Sequence, residues 1–89
     1  MEIFLTKEFK ENFSRLEKQT QKQAEKQIVI FKNNPFYPSL HTEKLIPRSK
    51  EVWSFRINIK HRILFRFLND DTVVFLTIGT HDWIYKIKF

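Results

Sequence analysis

Apolar and polar positions alternate most cleanly over residues 53–60. Trp53, Phe55, Ile57 and Ile59 take one parity, and Ser54, Arg56, Asn58 and Lys60 take the other. Successive side chains of a strand point to opposite faces. The pattern therefore predicts a strand over 51–59, its apolar face buried and Arg56 and Lys60 turned outward. His61 and Arg62 open a second apolar run over 61–68, which reads as the antiparallel partner of a hairpin with a cationic rim. Asn69-Asp70-Asp71 marks a turn. Residues 72–78 are apolar on both parities, as in a strand covered on both faces. Gly79, the one glycine of the chain, ends that strand and permits a bend or a close backbone approach.

Upstream the period lengthens. Residues 2–5 form a short apolar run that reads as a first strand, and Thr6 suits the N-cap of a helix. Phe9, Phe13 and Leu16 then recur at helical spacing, with Glu11 and Arg15 paired on the wet side. Ala24, Ile28 and Phe31 repeat the spacing. Two antiparallel helices are expected, over 7–17 and 20–33, stopping at Asn33-Asn34-Pro35 because proline cannot continue a helix. Lys18, Lys22 and Lys26 form a stripe, either a solvated face or an outer phosphate contact. Ile28, Val29, Ile30 and Phe31 are wider than one apolar stripe needs. They either wedge between sheet and loop or dock a partner.

All three prolines (35, 38 and 47) lie in residues 34–50, which read as a connecting loop with little regular structure. Long loops of this kind are often functional, and this one carries His41, Glu43, Lys44, Arg48 and Lys50. The aromatic tail from Thr80 onward is expected to pack rather than fray, as a strand or a single helical turn. The order β-α-α-β-β-β describes a small α+β domain spanning 1–89, with a helical hairpin on one sheet face.

Composition narrows the partners. With 89 residues, 42% of them hydrophobic and ten of them Phe, one compact core is the expectation. The absence of cysteine excludes disulfides and thiolate metal sites. No apolar run approaches the roughly 18–20 residues of a membrane span, and the first residues lack the features of a signal peptide. A cytoplasmic protein with no membrane partner is expected. Sixteen basic against ten acidic residues give a net charge of +6, which suits a polyanionic partner, nucleic acid or an acidic protein.

Several chemistries drop out. One glycine cannot build a phosphate-cradling loop. There is no Ser or Cys nucleophile arrangement, and His41, His61 and His81 are too widely spaced for a two-histidine metal motif. No metal and no cofactor are expected. What remains is Arg56, Lys60, His61, Arg62 and Arg66 on the hairpin, His81 and Tyr85 in the tail, and the basic loop. That set suits a metal-free reaction on a phosphodiester, with guanidinium groups neutralising the transition state and an imidazole moving a proton. Each residue also has a plainer reading. Arg56 and Arg66 can be wet-face strand residues, His61 a turn residue, Trp83 and Tyr85 core anchors, and His81 beside Asp82 a cap. The weight comes from several such residues at one edge of one sheet. Neither Arg62 nor His81 is expected in the core.

The stretch Trp53-Ser54-x-Arg56-Ile57-x-x-x-His61-Arg62-x-Leu64-Phe65 resembles the second and third strands of the RelE/ParE superfamily of bacterial type II toxins, most closely the YoeB branch. Gly79-Thr80-His81 with Tyr85 resembles the end of the YafQ branch. Asn34-Pro35, Pro38-Ser39-Leu40 and Lys44-Leu45 are similar to the loop these toxins place before the sheet.

The resemblance implies two N-terminal antiparallel helices on a four-stranded, mainly antiparallel sheet. It implies a ribosome-dependent mRNA endoribonuclease acting without metal by attack of the ribose 2′-hydroxyl on the adjacent phosphate. A cognate antitoxin, the ribosome and mRNA are the implied partners. Arg62 matches the transition-state arginine, Arg56 the basic residue of the preceding strand, His81 the general acid and Tyr85 the terminal aromatic. Glu43, His41 and His61 compete as general base, and Lys44, Arg48, Lys50, Lys60, His61 and Arg66 are candidate RNA contacts. The alternatives within the superfamily are a ParE-like inhibitor of DNA gyrase and an inactive homologue that only binds antitoxin.

Overall fold

A computed structural model describes residues 1–46 and 48–86. The chain runs β1 (Glu2–Leu5), α1 (Lys7–Ser14), α2 (Lys18–Asn33), β2 (Glu43–Lys44), β3 (Trp53–Arg56), β4 (His61–Asn69), β5 (Thr72–Thr80) and α3 (His81–Lys86). Among the described residues the sheet has five strands in the order β1-β5-β4-β3-β2, one more than expected. Only the β1–β5 pair is parallel; the other pairs are antiparallel. The added strand is the two-residue β2, inside the stretch read from sequence as a loop. There two single 3₁₀ turns, Pro38–Leu40 and Arg48–Lys50, also break the run. Pro47 and residues 87–89 of the expected tail lie outside the described residues.

The cap at Thr6 does two jobs. Its hydroxyl oxygen accepts from Phe9 N–H at 3.0 Å and donates to the Leu76 carbonyl at 2.7 Å. The start of α1 is thereby tied to β5. The first helix is shorter than expected, ending at Ser14, and the second starts two residues earlier, at Lys18.

Two cores flank the sheet. The larger lies under the helices and contains Phe9, Ala24, Phe31, Phe55, Ile63, Phe65, Phe75 and Ile78. Phe31 stacks on Phe55 at 4.6 Å between ring centroids and meets Phe65 edge-on at 4.9 Å. The smaller lies on the opposite face, where Leu45, Val52, Leu64 and Ile84 close together. Ile84 belongs to α3, so the tail forms a helix and roofs that second face. This revises the simple in/out reading of β3. Ser54, expected outward, is only 1% exposed because α3 and the β2–β3 connection cover it. Ile59, expected inward, is 84% exposed because the strand ends at Arg56 and the chain turns over residues 57–60.

Candidate active site

The hairpin register sets the site. Arg56 pairs with Arg62 across β3–β4, Arg62 pairs with Gly79 across β4–β5, and Glu43 pairs with Ser54 across β2–β3. Directly opposed residues share a face, and Ser54 and Arg56 share parity. Glu43, Ser54, Arg56 and Arg62 therefore all belong to the face under α3.

Arg62 is 8% exposed, against the expectation that it lies outside the core. Its Nη1 donates to three carbonyls of the turn: Asn58 at 2.7 Å, His61 at 2.9 Å and Ile59 at 3.2 Å. The hydrogen bonds of this side chain among the described residues are all made by Nη1. Arg62 also lines a cavity of about 450 Å³ with Ile59, Lys60, Thr80, His81 and Asp82. Burial, then the facing Arg56, work against the Arg62 charge, while Tyr85 and Glu43 support it. The buried Arg56 Nε has no hydrogen-bond partner among the described residues. Two like charges across a strand pair are unfavourable. A pair held this way, with an unused N–H, is suited to an anion.

Helix α3 supplies the other members. The His81 N–H donates to the Lys60 carbonyl at 2.6 Å, locking the start of α3 to the turn. The His81 and Tyr85 rings lie 4.4 Å apart, one helical turn separating them. His81 Nδ1 is 3.5 Å from Asp82 Oδ1, which orients the imidazole. The Tyr85 hydroxyl donates to Glu43 Oε1. Burial first, then this bond to Glu43, raises the phenol above its ordinary value, so it stays protonated and acts as a donor; Ser54 acts in the opposite sense.

The chain's single glycine makes this docking possible. A Cβ on Gly79 would collide with ring carbons Cε3 and Cζ3 of Trp83. Only bare backbone lets α3 lie this close to β5.

Compared by sequence, the chain matches no protein-family model and no curated protein. Compared by structure, it is similar to a YoeB/ParE toxin from Agrobacterium tumefaciens, with 20% identity, a TM-score of 0.75, and 91% of this chain and 99% of that one covered. YoeB from Staphylococcus aureus gives 19% identity and a TM-score of 0.74 over 91% of this chain and 97% of that one. YafQ from E. coli gives 15% identity and a TM-score of 0.76 over 94% and 97%. The fold is that of the RelE/ParE toxins.

Within this RelE/ParE fold the candidate residues divide into two groups. Arg56, Arg62, His81, Tyr85 and Glu43 converge under α3, with Lys60 at the rim. The other candidates lie apart from them. Adjacent strand residues face opposite sides, so His61 turns toward the helices, lining a second cavity with Arg15, Glu17 and Gln23. Burial, then Lys60 and Arg62, lower its pKa. His41 is exposed at φ 47° at the end of a 3₁₀ turn. Lys44 is on the side of Trp53, bound to Glu51 at 2.9 Å and 5.9 Å from the Trp53 ring centroid. Arg48 and Lys50 are exposed in the β2–β3 connection. Arg66 is exposed on β4, beyond Leu64 and the small core.

The sequence reading missed Asn58. Its Oδ1 accepts from the Lys60 N–H at 2.9 Å and the His61 N–H at 2.8 Å, and its Nδ2 donates to Gln23 Oε1 at 2.7 Å. It shapes the turn that grips Arg62. An Asn side chain bonding the backbone two residues on is a turn signal, here masked by the alternation that ran through it. Among the described residues no group of three His, Cys, Asp or Glu side chains could hold a metal ion. None of the described helices is long and apolar enough to cross a membrane.

Proposed function

We propose that this protein is the toxin of a type II toxin–antitoxin pair and a metal-independent endoribonuclease that cuts mRNA on the ribosome. The observation that carries the reading is the convergence of Arg56, Arg62, His81, Tyr85 and Glu43 on one sheet face of a RelE/ParE fold.

The roles follow from chemistry. Glu43 takes the proton of the ribose 2′-hydroxyl, as a carboxylate that supports the Arg62 charge and is held by Tyr85. The O2′–P bond forms and the P–O5′ bond breaks. His81, as imidazolium, gives its proton to O5′. The products are a 2′,3′-cyclic phosphate and a 5′-hydroxyl. Arg56 and Arg62 hold the non-bridging oxygens as negative charge builds on them, where a fixed cation in a water-poor site has its largest effect. Tyr85, donating to Glu43, fixes the base. Lys60 at the rim, and Arg48, Lys50 and Arg66 further along, draw in the backbone.

The antitoxin has a fitting surface. Ile3, Leu5, Phe9, Phe13, Ile28 and Phe75 line an apolar groove of about 370 Å³ between β1 and the helices, flanked by Lys10 and Lys32 and by one carboxylate, Glu25. An amphipathic segment with acidic flanks suits it. One of the similar structures is a YoeB–YefM toxin–antitoxin complex from Staphylococcus aureus.

The test is induced expression followed by mapping of mRNA 5′ ends. Cuts at a fixed codon phase, suppressed by a co-expressed antitoxin, are the expected outcome. Intact mRNA with DNA-damage signalling would place the chain with the gyrase inhibitors instead.

A further inference from the structure

Trp83 takes no part in the cluster around Arg62, yet it lies beside that cluster with 42% of its surface exposed. Ile84 already buries the inward side of α3. The edge of the Trp83 ring rests on Gly79, which is directly opposite Arg62. The indole and the Asn12, Arg15, Ile78 and Thr80 side chains line a cavity of about 470 Å³. Thr80 also lines the cavity that holds Arg62 and His81, so the two spaces are neighbours.

The chemistry of the lining is selective. Asn12 is engaged, donating to Thr77 Oγ1 at 2.9 Å and accepting from Arg15 Nη1 at 3.3 Å. Arg15 is exposed, and its guanidinium has N–H groups beyond the one Asn12 uses. The space thus combines an exposed aromatic ring, a polar rim and one cation, next to a pair of arginines suited to phosphate. Surfaces that bind single-stranded nucleic acid use this combination: aromatic rings on which bases stack, beside cations that follow the backbone.

We propose that this cavity is a subsite for an unpaired nucleobase, stacked on Trp83, of a nucleotide neighbouring the phosphate held by Arg56 and Arg62. Arg15 grips the backbone or edge of that nucleotide. The proposal rests on the reading of the arginine cluster as a phosphodiester site. It adds a binding determinant outside the catalytic group.

The full-length protein is titrated with a trinucleotide carrying 2′-deoxyribose at its first two positions and ribose at the third, in which neither phosphodiester can undergo 2′-hydroxyl attack. Binding is followed by tryptophan fluorescence and by the NMR shift of the Trp83 indole N–H; Trp53, on the helix side, gives a constant background. The expected result is quenching in the wild type and in Trp53→Phe, and its absence in Trp83→Phe. Affinity should hold in Trp83→Phe and fall roughly 5- to 150-fold in Trp83→Leu, the range for one stacked base. An abasic nucleotide at the stacked position should abolish the difference between wild type and Trp83→Leu.

Equal affinity for wild type and Trp83→Leu, or an indole signal unmoved by the trinucleotide in the wild type, overturns the subsite. The wild-type signal decides the matter even where Trp83→Leu fails to fold. Cleavage of mRNA is read separately. Trp83-dependent binding without cleavage overturns the nuclease and keeps the subsite; cleavage with Trp83-independent binding does the reverse.

Discussion

Arg56 and Arg62 stand directly opposite each other across β3 and β4, two guanidinium groups on one face of the sheet. Their structural situations differ. Arg62 holds three carbonyls of the turn, whereas the buried Nε of Arg56 has no partner among the described residues. Removing Arg62 should therefore abolish cleavage and also destabilise the domain, by about 2–3 kcal/mol for the lost charge-assisted bonds and the uncapped carbonyls. Removing the Arg56 charge relieves a like-charge contact. Arg56→Gln should melt no lower than wild type, within about 1 kcal/mol, yet cleave roughly 100- to 1000-fold more slowly. Thermal melts and single-turnover assays on both variants separate the two roles. An Arg62→Ala variant as stable as wild type would show that the turn does not depend on it.

His81 is half-exposed and linked to the fold chiefly through its backbone N–H on Lys60. His81→Gln should leave the melting temperature nearly unchanged and slow cleavage by roughly 100- to 10000-fold. A substrate with a 5′-thio leaving group, which needs no protonation, should recover most of that loss. Absence of recovery would remove His81 from the proton-donor role.

Tyr85 donates to Glu43 and keeps its own proton because burial and that carboxylate both disfavour the phenolate. Tyr85→Phe should therefore lower the single-turnover rate roughly 10- to 100-fold, the worth of one hydrogen bond to a charged group. A rate unchanged in Tyr85→Phe would mean that Glu43 needs no such support.

The His61 imidazole is driven below its ordinary value by burial and by Lys60 and Arg62. The unfolded chain then binds a proton more readily than the folded one. Stability should be full above about pH 6.5 and fall as the pH drops below it toward the folded-state value. The His61→Gln variant should lose less stability over that window. Parallel melting curves from pH 7.5 to 5 for the two proteins provide the comparison, and identical slopes would refute the assignment.

Gly79→Ala tests how α3 is seated. The added methyl meets the Trp83 ring, so α3 must lift. A cost of about 1–3 kcal/mol is expected, with loss of cleavage because His81 and Tyr85 move with the helix. In the double variant Gly79→Ala, Trp83→Ala the steric conflict is gone, and the melting temperature should lie above the sum of the single effects.

Local pattern determined much of this molecule. The Thr6 cap, the apolar spacing of α2 and of Phe9 and Phe13 in α1, and the alternation over Trp53–Arg56 are properties of neighbours in the chain, and these appear in the fold. The shared face of Ser54, Arg56 and Arg62 was also legible, since parity within a strand and pairing across a hairpin suffice. So was the separation of His61 from Arg62, had adjacent strand residues been assigned to opposite faces.

Contacts distant in sequence decided the rest. Glu43, His41 and His61 competed as bases because nothing local ranks them. Glu43 meets Tyr85, 42 residues away, only because β2 pairs with β3 and α3 folds back over the sheet. The burial of Ser54, which alternation assigned to water, and of Arg62, expected outside the core, has the same cause. Alternation reports which residues share a face; only the packing of another element, here α3 seated on bare Gly79, decides whether that face is dry.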